Sequence, residues 1–188
     1  MSLANILVLG GSGFVGRYAV SRLDAAGYAI TVPTRRRERA RHLILLPQTD
    51  VVQMNVHDDG HLERLMSDKD IVVNLVGILH GRLGDSNDPY GPDFRKAHVE
   101  LAERVVACAR RSKVRRLVHV SALGVTDNDP ATLPSRYLRS KAAADSASDI
   151  AATATSTAST INSCSKRYCP ARDMPLLRAS RVTAWSFG

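Results

Sequence analysis

The chain has 188 residues, 44% apolar and 23% charged, enough for one globular unit that buries a core without disulfides. Its 26 basic and 18 acidic residues leave a net charge of +8. Much of that excess sits in Arg35, Arg36, Arg37, Arg39 and Arg41, so a local anionic ligand is the first explanation; sparse aromatics and the lack of a recognition motif argue against nucleic acid. No apolar run approaches the ~20 residues that span a bilayer, so no transmembrane segment is expected.

The elements alternate. A strand over Asn5–Leu9 leads through a glycine turn into a helix from Phe14 to Ala26, in which Val15, Ala19, Val20 and Leu23 recur at helical spacing and Gly27 closes the last turn. Ala29–Val32 reads as a second strand, and a basic helix over Glu38–Leu46 ends before Pro47. Val51–Met54 is a third strand, His61–Met66 a short helix and Ile71–Val76 a buried fourth strand. The loop Gly77–Pro92 is long, and loops of that length within a compact domain are often functional. A helix over Asp93–Arg111 carries Ala97, Leu101, Val105 and Cys108 on one stripe. Leu117–Val120 is a fifth strand, and Ser135–Ala147 the next helix.

Past residue 146 the character changes: 12 of the 14 residues at 147–160 are Ala, Ser or Thr, and no strand or helix period follows. The expected organisation is one domain over residues 1–146 and a low-complexity tail over 147–188, disordered or truncated, with a shifted reading frame as one origin and an Ala-rich helix as the alternative. The first strand begins too early for a secretory leader. Cys108, Cys164 and Cys169 show no metal-ligand spacing, which suits a reduced, cytoplasmic setting. His42, His57, His61, His80, His98 and His119 likewise read as ordinary surface or core residues, and no metal site is expected.

Chemistry concentrates at three places. Gly10, Gly11, Ser12, Gly13, Phe14, Val15 and Gly16 follow a strand and open a helix. Gly10 permits the tight turn, Gly13 lets a pyrophosphate approach the backbone, and Gly16 lets helix and sheet pack closely; the helix N-terminus then favours the phosphate charge. Such a strand–turn–helix, within a βαβ unit, is a dinucleotide-binding fingerprint. The expected fold is therefore a Rossmann-like three-layer α/β domain with a parallel sheet in order 3-2-1-4-5 and helices on both faces.

The end of the second strand addresses cofactor choice. A carboxylate there would bind the ribose 2′-hydroxyl of NAD(H), but the chain offers Thr34, Arg35 and Arg36, with no acid before Glu38. Guanidinium groups suit a 2′-phosphate, so NADP(H) is favoured over NAD(H); one or two arginines would bind and the rest face water. Asn55 and Val56 stand where a short polar side chain could meet the adenine, and Leu75, Val76 and Gly77 where strand ends line the cofactor crevice. Finally, Tyr137 and Lys141 lie one helical turn apart after a strand that ends at Ser121. An ammonium near a phenol lowers the phenol's pKa and makes it a usable acid or base, and the lysine can also hold the nicotinamide ribose.

In family order, Gly10-x-x-Gly13-x-x-Gly16, Asn55-Val56, Ser121 and Tyr137-x-x-x-Lys141 resemble the extended or atypical branch of the short-chain dehydrogenase/reductase superfamily over about residues 4–146. Within it, Val32–Arg37, Asn74–Leu79 and Tyr137–Lys141 look most like the nucleotide-binding accessory subunit of respiratory complex I and its bacterial relatives. The resemblance implies Tyr137 as acid/base, Lys141 as the ribose-positioning cation and Ser121 as the group orienting a carbonyl. It also marks departures: Leu9 for a threonine, Asn55 for an aspartate, and Ala122 at the usual hydroxyl position. The accessory subunit is regarded as holding its cofactor structurally. Three readings follow: an accessory-subunit-like NADP(H) protein with structural or weak catalytic use, an active oxidoreductase, epimerase or dehydratase, and a cofactor-sensing interaction protein. A respiratory-complex or quinone-linked membrane partner, a place at the inner face of a respiratory membrane, and an oligomer belong to the same expectation.

Overall fold

The computed structural model describes residues 4–82, 84, 87–125, 130–153, 158–161 and 182–186. In chain order they form β1 (Asn5–Leu9), α1 (Phe14–Ala25), β2 (Ala29–Thr34), a 3₁₀ segment (Arg37–Leu43), β3 (Thr49–Gln53), α2 (Asp59–Met66) and β4 (Ile71–Asn74). Then come α3 (Pro92–Phe94), a π-helical stretch (Arg95–Glu100) and α4 (Leu101–Arg111), running on without a break, followed by β5 (Arg116–Val120), a short 3₁₀ turn (Pro130–Thr132), α5 (Arg136–Thr153), β6 (Ala158–Ile161) and β7 (Val182–Ser186).

The sheet order is β3-β2-β1-β4-β5-β7-β6. The first five strands pair in parallel, in the expected order 3-2-1-4-5. Alternation along the strands builds two cores. Ile6, Val8, Ile30, Val32 and Val51 face one way, onto Val20 of α1 and Ala40 and Leu43 of the 3₁₀ segment. Leu7, Leu9, Val72 and Leu117 face the other way, onto Leu62 and Met66 of α2 and Leu101, Val105 and Cys108 of α4. At the far end of α1, Asp24 accepts hydrogen bonds from the Gln48 amide (2.9 Å) and the Thr49 hydroxyl (2.8 Å), tying the helix to the start of β3.

Several elements differ from the sequence expectation for identifiable reasons. The basic segment is 3₁₀ rather than α: its buried residues, Ala40 and Leu43, are three apart, which suits the tighter helix. β2 continues through Pro33 to Thr34, because the β1 ladder ends at Thr31 and Pro33 pairs only with β3. β4 stops at Asn74, whose Oδ1 accepts the Val76 amide (3.1 Å) and turns the chain out of the sheet.

The C-terminal part departs most. α5 crosses the expected boundary at 146, and β7 pairs antiparallel with β5 (Leu117↔Trp185, Val118↔Ala184), with β6 antiparallel to β7. Among the described residues the sheet thus has seven strands where five were expected. The β6 signal was invisible because Ala, Ser and Thr give no apolar/polar contrast, and β7 is a short Val-Thr-Ala-Trp-Ser run without sustained alternation, whereas an edge such as β5 offers unpaired backbone groups to any extended segment. The rest of the expected tail lies outside the described residues.

Candidate cofactor and active site

The glycine turn is a backbone cradle. Gly10 has φ +79°, and a Cβ there would lie 2.9 Å from the Leu75 carbonyl carbon, so the end of β1 passes against the end of β4 only because the side chain is absent. A Cβ on Gly16 would meet the Gly10 oxygen and come within 2.6 Å of Gly11 Cα. The Gly13 amide donates to the Gly10 carbonyl (3.0 Å), and the Gly13 carbonyl accepts the Arg17 amide. Gly13 caps α1 without a side-chain hydrogen bond, and the first turn holds no acid. The Phe14, Val15 and Gly16 amides therefore have no acceptor within the helix and stand at its positive end, an arrangement a pyrophosphate satisfies. Ser12 and Val15 are half-buried, while Phe14 is 62% exposed.

At one side of this cradle β2 ends in a local turn. The buried Thr34 hydroxyl donates to the Arg36 carbonyl (3.1 Å) and accepts its amide (3.4 Å), leaving the Arg35 and Arg36 side chains exposed. Asn55 is exposed and accepts the His57 amide through Oδ1 (3.2 Å), and Val56 packs on the α2/α4 core. His57 is pushed below its ordinary pKa first by burial, then by the charges of Lys96, Arg35 and Arg104.

On the other side, the ends of β4 and β5 meet α5. Lys141 is 3% exposed, and its ammonium donates to the Val76 carbonyl (3.2 Å) and the Val120 carbonyl (3.2 Å), bridging the two strand ends. Burial lowers its pKa to about 8, against the opposing pull of the Asp145 carboxylate. Gly77 lies next to it: a Cβ there would be 3.7 Å from Lys141 Nζ. The glycine turn, Leu75, Val76, Gly77 and Lys141 are therefore contiguous along the ends of β1 and β4, the place where a doubly wound sheet offers a cofactor crevice.

The catalytic candidates are arranged differently from the expectation. Tyr137 is half-buried, and burial alone pushes its phenol above the ordinary value, with no lowering by Lys141. Among the described residues no hydrogen bond joins the Tyr137 hydroxyl to Lys141 or Ser121. Ser121 is buried and donates its hydroxyl to Asp145 Oδ2 (2.6 Å). Beside it, Asn74 donates through Nδ2 to His119 Nδ1 (3.1 Å), since its Oδ1 is taken by Val76. This leaves the proton on His119 Nε2, 3.8 Å from Asp145 Oδ1. Burial, followed by Lys141, drives His119 down to about 3, so the imidazole is neutral.

Two buried groups in this region escaped the sequence reading. His98, on the π-helical stretch, accepts the Ile78 amide through Nε2 (3.0 Å) and contacts the Ser140 hydroxyl through Nδ1 (2.8 Å). The buried stripe of its helix runs through Phe94, His98, Leu101, Val105 and Cys108, with Ala97 only half-buried. A histidine at an apolar position of that stripe was the available signal. Asp145 continues the Tyr137–Lys141 spacing by one more turn, which places it on the same face of α5.

Comparison with known proteins gives the chain's family and fold. A curated relative from Arabidopsis thaliana, the mitochondrial NADH dehydrogenase [ubiquinone] 1 alpha subcomplex subunit 9, is 32% identical over 145 residues, covering 74% of this chain and 33% of that protein. A Stigmatella aurantiaca ketoreductase of a farnesylated dihydroquinoline oxide is 30% identical over 63% of this chain and 33% of its own. The chain spans about one third of the length of the curated relatives it matches. Among solved structures, Pen from Bacillus thuringiensis superposes with a TM-score of 0.67 at 16% identity, over 81% of this chain and 46% of that one, a likeness of fold. The model of the NAD dependent epimerase/dehydratase family matches residues 6–185, and the chain belongs to that family.

Proposed function

We propose that this chain is an NADP(H)-binding protein of the complex I accessory-subunit type, in which the cofactor serves structure or only weak turnover. The observation that carries the cofactor choice is the β2 terminus: Thr34 folds back on Arg36, no carboxylate stands there, and Arg35 and Arg36 are free to meet a 2′-phosphate. Gly10–Gly16 would hold the pyrophosphate, Asn55 and Val56 the adenine, and Leu75, Val76, Gly77 and Lys141 the nicotinamide half. The limited-turnover reading is supported by Ser121, whose hydroxyl is committed to Asp145, and by the raised pKa of Tyr137. A respiratory-complex partner, peripheral at the membrane, is suggested by relatives named as complex I subunits. Among the described residues no helix is long and apolar enough to cross a membrane, so such contact would be at the surface. Replacing Arg35 and Arg36 together by Ala should weaken NADPH binding far more than NADH binding; an equal loss for both would sink the 2′-phosphate assignment.

A second reading, an active carbonyl reductase or epimerase, is favoured by Tyr137 and Lys141 sharing one face of α5. Bound there, the nicotinamide would exchange a hydride with a carbonyl or sugar carbon, and Tyr137 would hold or release the proton.

A further inference from the structure

His98 is 2% exposed and lies where α3 passes into α4 through a π-helical stretch, a local irregularity that often marks a functional position. Its hydrogen bonds fix its tautomer. The Ile78 amide donates to Nε2, so that nitrogen carries no proton; Nδ1 carries it and donates to Ser140 Oγ, whose own proton goes to the Tyr137 carbonyl (2.7 Å). The ring also stacks on Phe94 (centroids 5.5 Å apart) and meets Tyr137 edge-to-face (5.5 Å). One imidazole thus touches the loop that leaves β4, the Tyr137 ring at the start of α5 and the Ser140 hydroxyl, through which it reaches the Tyr137 carbonyl. Burial and the nearby Lys141 keep it neutral, at about 3, so the donor–acceptor pattern persists over the working pH range.

We infer that His98 is a positioning residue, which sets the separation between the Gly77–Ile78 loop and the Tyr137/Lys141 face of α5 and so shapes the nicotinamide end of the crevice. This rests on the crevice being a dinucleotide site. It differs from the roles of Lys141 and the glycine turn, because His98 would act through Ile78 and Ser140 rather than by touching the cofactor.

The test has two arms on the full chain. Long-range ¹⁵N–¹H NMR should find His98 neutral with Nδ1 protonated from pH 7 to pH 5; a protonated Nε2 at neutral pH, or titration near 6.5, would overturn the inference. In the second arm His98→Phe keeps the ring contacts but loses both hydrogen bonds, while His98→Gln retains one donor and one acceptor on a single planar group. His98→Phe should weaken NADPH binding about tenfold, the size of one hydrogen-bond contribution. It should leave 2′-phospho-ADP-ribose, which lacks the nicotinamide, within about twofold, and His98→Gln should recover most of the loss. Equal effects on both ligands, or no rescue by Gln, would contradict the positioning role. If the unaltered chain bound neither ligand, the dinucleotide reading itself would fail, and the NMR arm would still decide whether His98 holds the loop to α5.

Discussion

Ser121, the residue after β5, gives its hydroxyl proton to Asp145 of α5 across 2.6 Å, with both residues buried. A serine engaged this way braces helix to sheet. It also shares its carboxylate with the field of Lys141, one turn back on the same helix face. Ser121→Ala should therefore destabilise the chain by about 1–3 kcal/mol in denaturant unfolding, since a buried carboxylate loses a donor. NADPH affinity should hold within about twofold. A large affinity loss at unchanged stability would instead place Ser121 in contact with ligand.

Tyr137 separates the two functional readings. If turnover exists, Tyr137→Phe should abolish NADPH oxidation across a panel of carbonyl substrates and leave cofactor affinity nearly unchanged. If the cofactor is structural, the unaltered chain shows no oxidation above the solvent rate and the substitution changes nothing. Robust turnover surviving in Tyr137→Phe would remove this residue from any acid/base role.

The glycine cradle makes a steric prediction. Gly16→Ala places a methyl group against the Gly10 and Gly11 backbone, so the turn must open. A loss of about 1–3 kcal/mol, typical of overpacking, should come with at least about tenfold weaker cofactor binding. Gly60→Ala is the control. There a Cβ meets only Asp58 Oδ1 at 3.4 Å, and α2 should be unchanged or gain about 0.5–1 kcal/mol.

Acid should weaken the fold through its buried histidines. His98 and His119 are held near 3 against an ordinary 6.5, so between those values the unfolded chain binds more protons than the folded one. Stability from each group is complete above 6.5 and is lost as pH falls toward 3, on the order of 2 kcal/mol per group by pH 5. Lys141 works in the alkaline range. Its folded value of about 8 lies below the ordinary 10.5, so stability should rise as pH climbs between them. Urea unfolding at pH 7 and pH 5 measures the acid limb, and in His98→Gln the difference should shrink by about 2 kcal/mol, the share of the group removed.

Much of the fold was legible in the sequence because parallel strands buried on both faces announce themselves as short Val/Ile/Leu runs between helical periods. Ile6–Leu9 and Ile71–Val73 are of this kind. Boundaries were less legible where tertiary pairing decides them. Pro33 stays in β2 because its β1 side is already free, and Asn74 ends β4 with its own side chain. Strands β6 and β7 were hidden altogether, since their segments carry little apolar contrast and their pairing is specified by the edge of β5.

The site divides along the same line. Gly10, Gly13 and Gly16 could be read directly because backbone geometry demands them. The Tyr137–Lys141 spacing was equally visible, but its lysine is anchored on Val76 and Val120, which no spacing reveals. His98 and Asp145 gained their importance only when α4 and α5 packed together over the strand ends.

The most direct test of the account is calorimetric titration of the 188-residue chain with NADPH and with NADH under identical conditions. The expected result is saturable one-site binding, with NADPH at least about tenfold tighter, a difference of ~1.4 kcal/mol. Equal or NADH-favouring affinities would contradict the role given to Arg35 and Arg36, and no binding of either would contradict the cofactor site itself.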